Sequence, residues 1–121
     1  MNRHVRFNLS GEFKTAEGCH ILELLNTPED NSCSITRARV EPGVTTKLHS
    51  VRDTIERYVF LQGEGSIEIA GERITEVKPL DVIYVAPGET QRVSNTGTSD
   101  LVFLAVCTPR FRPEAYVIQE S

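Results

Sequence analysis

The chain has 121 residues, a length typical of one folded domain with a single core. Apolar residues make up 39% and charged residues 25%, which is the balance of a globular rather than a disordered protein. The formal net charge is -4, and 13 Lys and Arg lie scattered among 17 acidic residues, so no basic stripe is available for nucleic acid.

Neither a membrane span nor a secretory signal is visible in the sequence. The longest apolar run, Leu101–Cys107, is far shorter than the roughly 20 residues that cross a bilayer. The first residues are not followed by an apolar stretch, so we expect a cytoplasmic protein. Three cysteines, Cys19, Cys33 and Cys107, lack disulfide or metal spacing and are interpreted as free buried thiols.

Short runs of β-branched and aromatic residues alternate with turn residues along the chain, which predicts a single all-β domain over residues 1–121. The segment 17–26 would also fit a short amphipathic helix, but we interpret it as a strand. A turn is predicted at Asp30-Asn31. The predicted strands are Ile21–Leu25, Ser34–Val40, Thr46–His49, Arg57–Leu61, Ser66–Ala70, Arg73–Val77, Val82–Val85, Gln91–Ser94 and Leu101–Cys107.

The C-terminal tail, residues 108–121, contains two prolines that interrupt strand pairing. Tyr116, Val117 and Ile118 follow them and require an apolar surface, so we expect the tail to pack on the barrel exterior or on a second subunit. Exposed strand edges together with this tail predict a homodimer.

Strand periodicity brings several polar side chains to the interior. Residues two apart share a face, so His49 and Val51 point one way, and Glu56 and Tyr58 share a face on the next strand. A buried His and carboxylate are costly unless they are paired, hydrated or bound to a cation. The pattern predicts a polar pocket near His49 and Glu56. Tyr58 is the candidate catalytic acid or ligand-orienting group there, and a core tyrosine with a satisfied hydroxyl is the alternative.

The spacing of this segment resembles the first motif of the cupin superfamily, which runs Gly, five residues, His-x-His, four residues, Glu, six residues, Gly. Gly43, His49, Glu56 and Gly63 fall on that pattern in order, and Val51 replaces its second histidine. In the second motif, Gly88 and Asn95 match, whereas Leu80, Ala86 and Gln91 depart from Gly, Pro and His. The resemblance covers about residues 35–107 and implies a double-stranded β-helix, or jelly-roll barrel.

The resemblance also implies a metal held by three histidines and one glutamate. This chain offers His49, Glu56 and Gln91 at three of those four positions. Val51 removes one metal ligand, and the amide oxygen of Gln91 is a poorer metal ligand that suits harder ions. We therefore expect a divalent metal, Mn, Fe, Ni or Zn, with water in the open positions. The alternative is a metal-free pocket in which the three side chains hydrogen-bond one another.

Two function hypotheses follow from this pocket. In the first, metal and barrel bind a small polar metabolite, a sugar or a carboxylic acid, for isomerase, lyase or dioxygenase chemistry. In the second, the barrel is a metal-free, non-catalytic small-molecule-binding protein. A third, structural role requires that Phe60, Tyr84 and Phe103 fill the cavity.

Overall fold

The computed structural model describes residues 3–119, which form short antiparallel strands and two single-turn 3-10 helices, Leu9–Gly11 and Pro113–Ala115. The all-β prediction is confirmed. No helix in this range is long and apolar enough to cross a membrane. The strands are β1 Phe13–Lys14, β2 His20–Thr27, β3 Asp30–Val40, β4 His49–Val51, β5 Ile55–Gln62, β6 Gly65–Ile69, β7 Glu72–Val77, β8 Val82–Val85, β9 Gln91–Asn95, β10 Leu101–Thr108 and β11 Tyr116–Ile118.

The strands form two sheets whose inner faces share one hydrophobic core. The larger sheet has the order β1-β2-β3-β10-β5-β8, and the smaller sheet has the order β11-β4-β9-β6-β7. Strand β10 lies between β3 and β5, so sequence-distant segments are neighbours. Along β5, Glu56, Tyr58 and Phe60 are buried, and the residues between them are more exposed. The inward face inferred from the sequence is therefore the observed one.

Several local predictions need correction. The predicted strand Thr46–His49 is shifted, because only the segment from His49 to Val51 forms β4, while Thr46 is held by hydrogen bonds with Val93 from outside a strand. Asp30-Asn31 is the start of β3 rather than a turn, and the chain reverses at Pro28-Glu29. In both places the non-local partner decides where a strand begins, and that partner is not visible in local sequence.

The tail adds a strand to its own barrel instead of lying on the exterior. Strand β11 pairs antiparallel with β4, with Tyr116 opposite Val51 and Ile118 opposite His49. The ladder satisfies backbone groups at the edge of the smaller sheet. The prolines interrupt pairing between β10 in the larger sheet and β11 in the smaller sheet, as the sequence indicated.

Motif residues outside the pocket have structural roles. Gly63 has φ 87°, and a Cβ there would lie 2.6 Å from the carbonyl oxygen of Asp100, so only glycine fits. Asn95 donates 2.8 Å hydrogen bonds to two backbone carbonyls and accepts one from a backbone amide. Leu80 stands where the resemblance expects glycine and has φ 75°, which is strained for a residue with a Cβ.

Candidate functional site

A cavity of about 360 Å³ opens between the two sheets, within the size range of small-ligand pockets. The third hypothesis required a filled interior, but Tyr84 points outward and is exposed, and Phe60 is packed in the core. The cavity is lined mainly by apolar side chains. The polar side chains that reach it are Thr15, Glu17, Glu23, Thr36, Thr46, His49, Glu56, Tyr58 and Tyr116, together with the thiols of Cys19 and Cys107.

His49 lies at the start of β4 and faces the cavity. Its Nδ1 is 2.9 Å from the carbonyl oxygen of Lys47, which can only accept, so Nδ1 carries the proton and Nε2 the lone pair. The imidazole stacks on Tyr116, with ring centroids 5.1 Å apart. Burial lowers the pKa of His49, although the Lys47 carbonyl and the charge of Glu56 oppose this shift. The neutral form with a free Nε2 is favoured.

Glu56 and Gln91 form a buried pair behind His49. The Nε2 of Gln91 donates a 2.5 Å hydrogen bond to Oε1 of Glu56, and Gln91 is the ladder partner of His49 across β4 and β9. Burial raises the pKa of Glu56 despite the opposing effects of Gln91 and His49. Gln91 is fully buried and does not line the cavity, and its Oε1 has no partner among the described residues. Gln91 therefore orients Glu56.

Glu17 is a cavity residue that the sequence analysis missed. It lies in the turn between β1 and β2, and its carbonyl accepts a 2.9 Å hydrogen bond from the amide of Lys47, which fixes the turn beside β4. Its Oε2 is 3.3 Å from Nδ1 of His49. Burial raises the pKa of Glu17 to about 7. Because burial also favours neutral His49, we interpret this contact as polar rather than as an ion pair. A polar residue before Gly18 was the only sequence signal.

Tyr58 is 4% exposed and lines the cavity beside Phe103. Its hydroxyl has no hydrogen-bond partner within the described range 3–119. The hydroxyl oxygen is not fully enclosed by protein atoms, so it faces the cavity. Burial is the main cause that raises its pKa well above the ordinary value, so it is a neutral phenol at physiological pH. A catalytic role for Tyr58 stays a prediction.

The cavity thiols are not activated. Sγ of Cys107 is 3.8 Å from Oε2 of Glu56, and burial raises its pKa to about 12. Burial likewise raises the pKa of Cys19 to about 12. Both are free thiols at neutral pH, as expected, whereas Cys33 is only half-buried.

The donor set fits a resident metal poorly. Within residues 3–119, no group of three or more His, Cys, Asp or Glu side chains is placed to hold an ion. His49 and Glu56 reach the cavity, but Gln91 lies behind Glu56 with its amide nitrogen engaged. Two protein ligands are fewer than stable transition-metal sites use. The predicted ligand set of His49, Glu56 and Gln91 therefore stays a prediction, and no chemical step is derived from it.

Two antiparallel sheets that enclose a cavity with polar side chains on its wall define a double-stranded β-helix barrel. A family model described as "Cupin domain" matches residues 36–107, and the chain belongs to this family. The match includes both motif segments and the strands that carry His49, Glu56 and Gln91.

Relatives with known or described properties share this barrel. An oxalate-binding protein of Thermotoga maritima is 31% identical over 99 residues, which cover 82% of this chain and 80% of the relative. A crystal structure described as a predicted oxalate decarboxylase from Thermotoga maritima is 26% identical with a TM-score of 0.72, covering 87% and 93% of the two chains. A variant of Bacillus subtilis oxalate decarboxylase has a TM-score of 0.78 at 23% identity, covering 92% of this chain and 30% of that one.

Proposed function

We propose that this cupin binds a small organic molecule inside the barrel and needs no resident metal to do so. The observation that carries the proposal is a pair of polar atoms without a hydrogen-bond partner among the described residues, Nε2 of His49 and the hydroxyl of Tyr58, both facing an open cavity of about 360 Å³. A ligand that displaces water from these atoms must replace the lost hydrogen bonds, because a buried polar group left without a partner costs about 1–3 kcal/mol. The apolar walls favour a ligand with an apolar body.

The same groups support proton transfer to and from the bound molecule. Neutral His49 presents a lone pair at Nε2 and is a suitable base. Glu56 keeps its proton more readily than an exposed carboxyl, because it is buried, and is a suitable acid. Such an acid and base on one cavity fit isomerase or lyase chemistry, in agreement with the first hypothesis but without its metal.

A metal-dependent site is the second candidate function. It is favoured by the oxalate-binding relative, because a small dianion such as oxalate needs a cation, and no Lys or Arg lines this cavity within the described part of the chain. The Nδ1 hydrogen bond of His49 to a carbonyl also occurs in metal-binding histidines. This candidate requires the Gln91 amide to turn its oxygen toward His49.

Metal content decides between the candidates. We expect purified protein, loaded with Mn, Fe, Ni or Zn and then dialysed, to retain far less than one equivalent by elemental analysis. Val51→His adds an imidazole beside His49 and is expected to raise retention, because Val51 lines the cavity. Stoichiometric metal in the parent that is lost in Glu56→Ala would establish the second candidate instead.

We also propose that two copies associate through the β8 edge of the larger sheet. Strand β8 ends that sheet, so one of its sides has unpaired backbone groups. Leu80, Val82 and Tyr84 are exposed beside it, at 81%, 60% and 56%. Pairing two β8 edges about a two-fold axis would continue the sheet, satisfy the unpaired backbone groups and bring these side chains next to their copies in the second chain.

Sedimentation velocity tests this arrangement. The parent is expected to sediment as a dimer at micromolar concentration, and Tyr84→Glu is expected to shift it toward monomer, because the new charge lies in the contact. Arg73→Glu, on β7 in the other sheet, is the control and should leave the dimer intact. A parent that sediments as a monomer at micromolar concentration would contradict the proposal.

A further inference from the structure

The charged side chains of the cavity wall are acidic. Glu17, Glu23 and Glu56 line it, and within residues 3–119 no Lys or Arg does so. His49 is the remaining ionisable nitrogen, and its Nδ1 is committed to the Lys47 carbonyl. The wall therefore offers carboxyl oxygens and one imidazole lone pair, which are acceptors. An anionic ligand would meet repulsion, whereas a ligand with several donors would be satisfied.

A second observation points to a ligand at this place. The hydroxyl of Tyr58 reaches the cavity from a side chain that is 96% buried, and within the described range it has no hydrogen-bond partner. Because this hydroxyl faces the cavity, a ligand bound there can supply the partner. Its oxygen is a further acceptor near the carboxyl groups, and its ring belongs to the cavity wall.

Aromatic side chains form part of the remaining wall. Phe103, Phe111 and Tyr116 line the cavity, and Tyr116 stacks on His49. Aromatic faces attract cations, and the attraction grows where water is excluded. A carboxylate in apolar surroundings is costly unless a cation lies beside it. Carboxyl groups and aromatic faces on one enclosed surface therefore favour the same kind of ligand.

We infer that the cavity takes an organic cation, a protonated amine on an apolar or aromatic body, whose ammonium group donates to Glu17 and the hydroxyl of Tyr58 while its body lies against the aromatic side chains of the wall. This inference rests on the proposed function, since it names the class of molecule that the barrel binds. It also separates this chain from its oxalate-binding relative, because oxalate carries the opposite charge.

Three probes of nearly equal size and different charge test the inference: benzylammonium, benzamide and benzoate. Isothermal titration calorimetry at pH 7.5 with the full, chelator-treated chain is expected to give the affinity order benzylammonium, then benzamide, then benzoate. Glu17→Gln keeps the shape of the side chain and removes its charge. This variant is expected to weaken the binding of benzylammonium about tenfold or more, the range for a hydrogen bond to a charged group. The affinity for benzamide is expected to stay within about twofold of the parent value.

Glu72→Gln on the exposed strand β7 is the matched control and should change none of the three affinities. Benzoate that binds as tightly as benzylammonium, or a benzylammonium affinity unchanged by Glu17→Gln, would overturn the inference while benzamide binding still supports the proposed function. If the Gln variant does not fold, the order of the three probes on the parent remains decisive. If no probe binds and oxalate binds only after metal loading, the proposed function itself fails.

Discussion

Replacing Glu17 by Gln should remove part of the pH dependence of folding stability. Burial raises the pKa of Glu17 from 4.5 to about 7 in the folded chain, and the side chain is only 14% exposed. A raised folded-state pKa contributes stability that is complete below about pH 4.5 and is lost as the pH rises through about 7. One pKa unit corresponds to about 1.4 kcal/mol, so the full loss is about 3 kcal/mol.

The neutral Gln has no such dependence. The free energy of unfolding of Glu17→Gln minus that of the parent should therefore increase by about 3 kcal/mol between pH 4 and pH 8. Urea titrations at intervals of one pH unit measure this difference, and Glu72→Gln on exposed β7 serves as a control with no expected trend. A difference that is flat, or that falls as the pH rises, would refute the reasoning. A fall would mean that Glu17 is ionised in the folded state as the partner of protonated His49.

Three further substitutions test the scaffold. Asn95→Ala removes three hydrogen bonds of a buried side chain and is expected to lower the free energy of unfolding by about 2–3 kcal/mol in urea titration; a loss below about 0.5 kcal/mol would contradict the role given to Asn95. Leu80→Gly relieves a φ of 75° and is expected to raise the free energy of unfolding by about 1 kcal/mol, so a decrease would argue against strain. Gly65→Ala places a Cβ 2.5 Å from the carbonyl oxygen of Ser94 and is expected to cost about 1–3 kcal/mol, whereas an unchanged denaturation curve would show that the backbone yields freely.

The sequence by itself determined the class of fold and one wall of the cavity. Side-chain alternation along a strand is local, because consecutive residues point to opposite faces whatever the strand pairs with. The inward direction of Glu56 and Tyr58 could therefore be predicted, and the structure places both on the cavity. The motif spacing added His49 and the barrel, which the family match supports.

Only the tertiary structure decided how the site is completed. Glu17 and Tyr116 reach His49 from opposite ends of the chain, one through a turn docked on Lys47 and the other through a strand paired with β4. Gln91 has the inward parity that was predicted, yet it lies behind Glu56 and out of the cavity. Such placements depend on which distant segments pack together. That choice minimises the exposed apolar area and the unsatisfied backbone of the whole chain, and no local pattern encodes it.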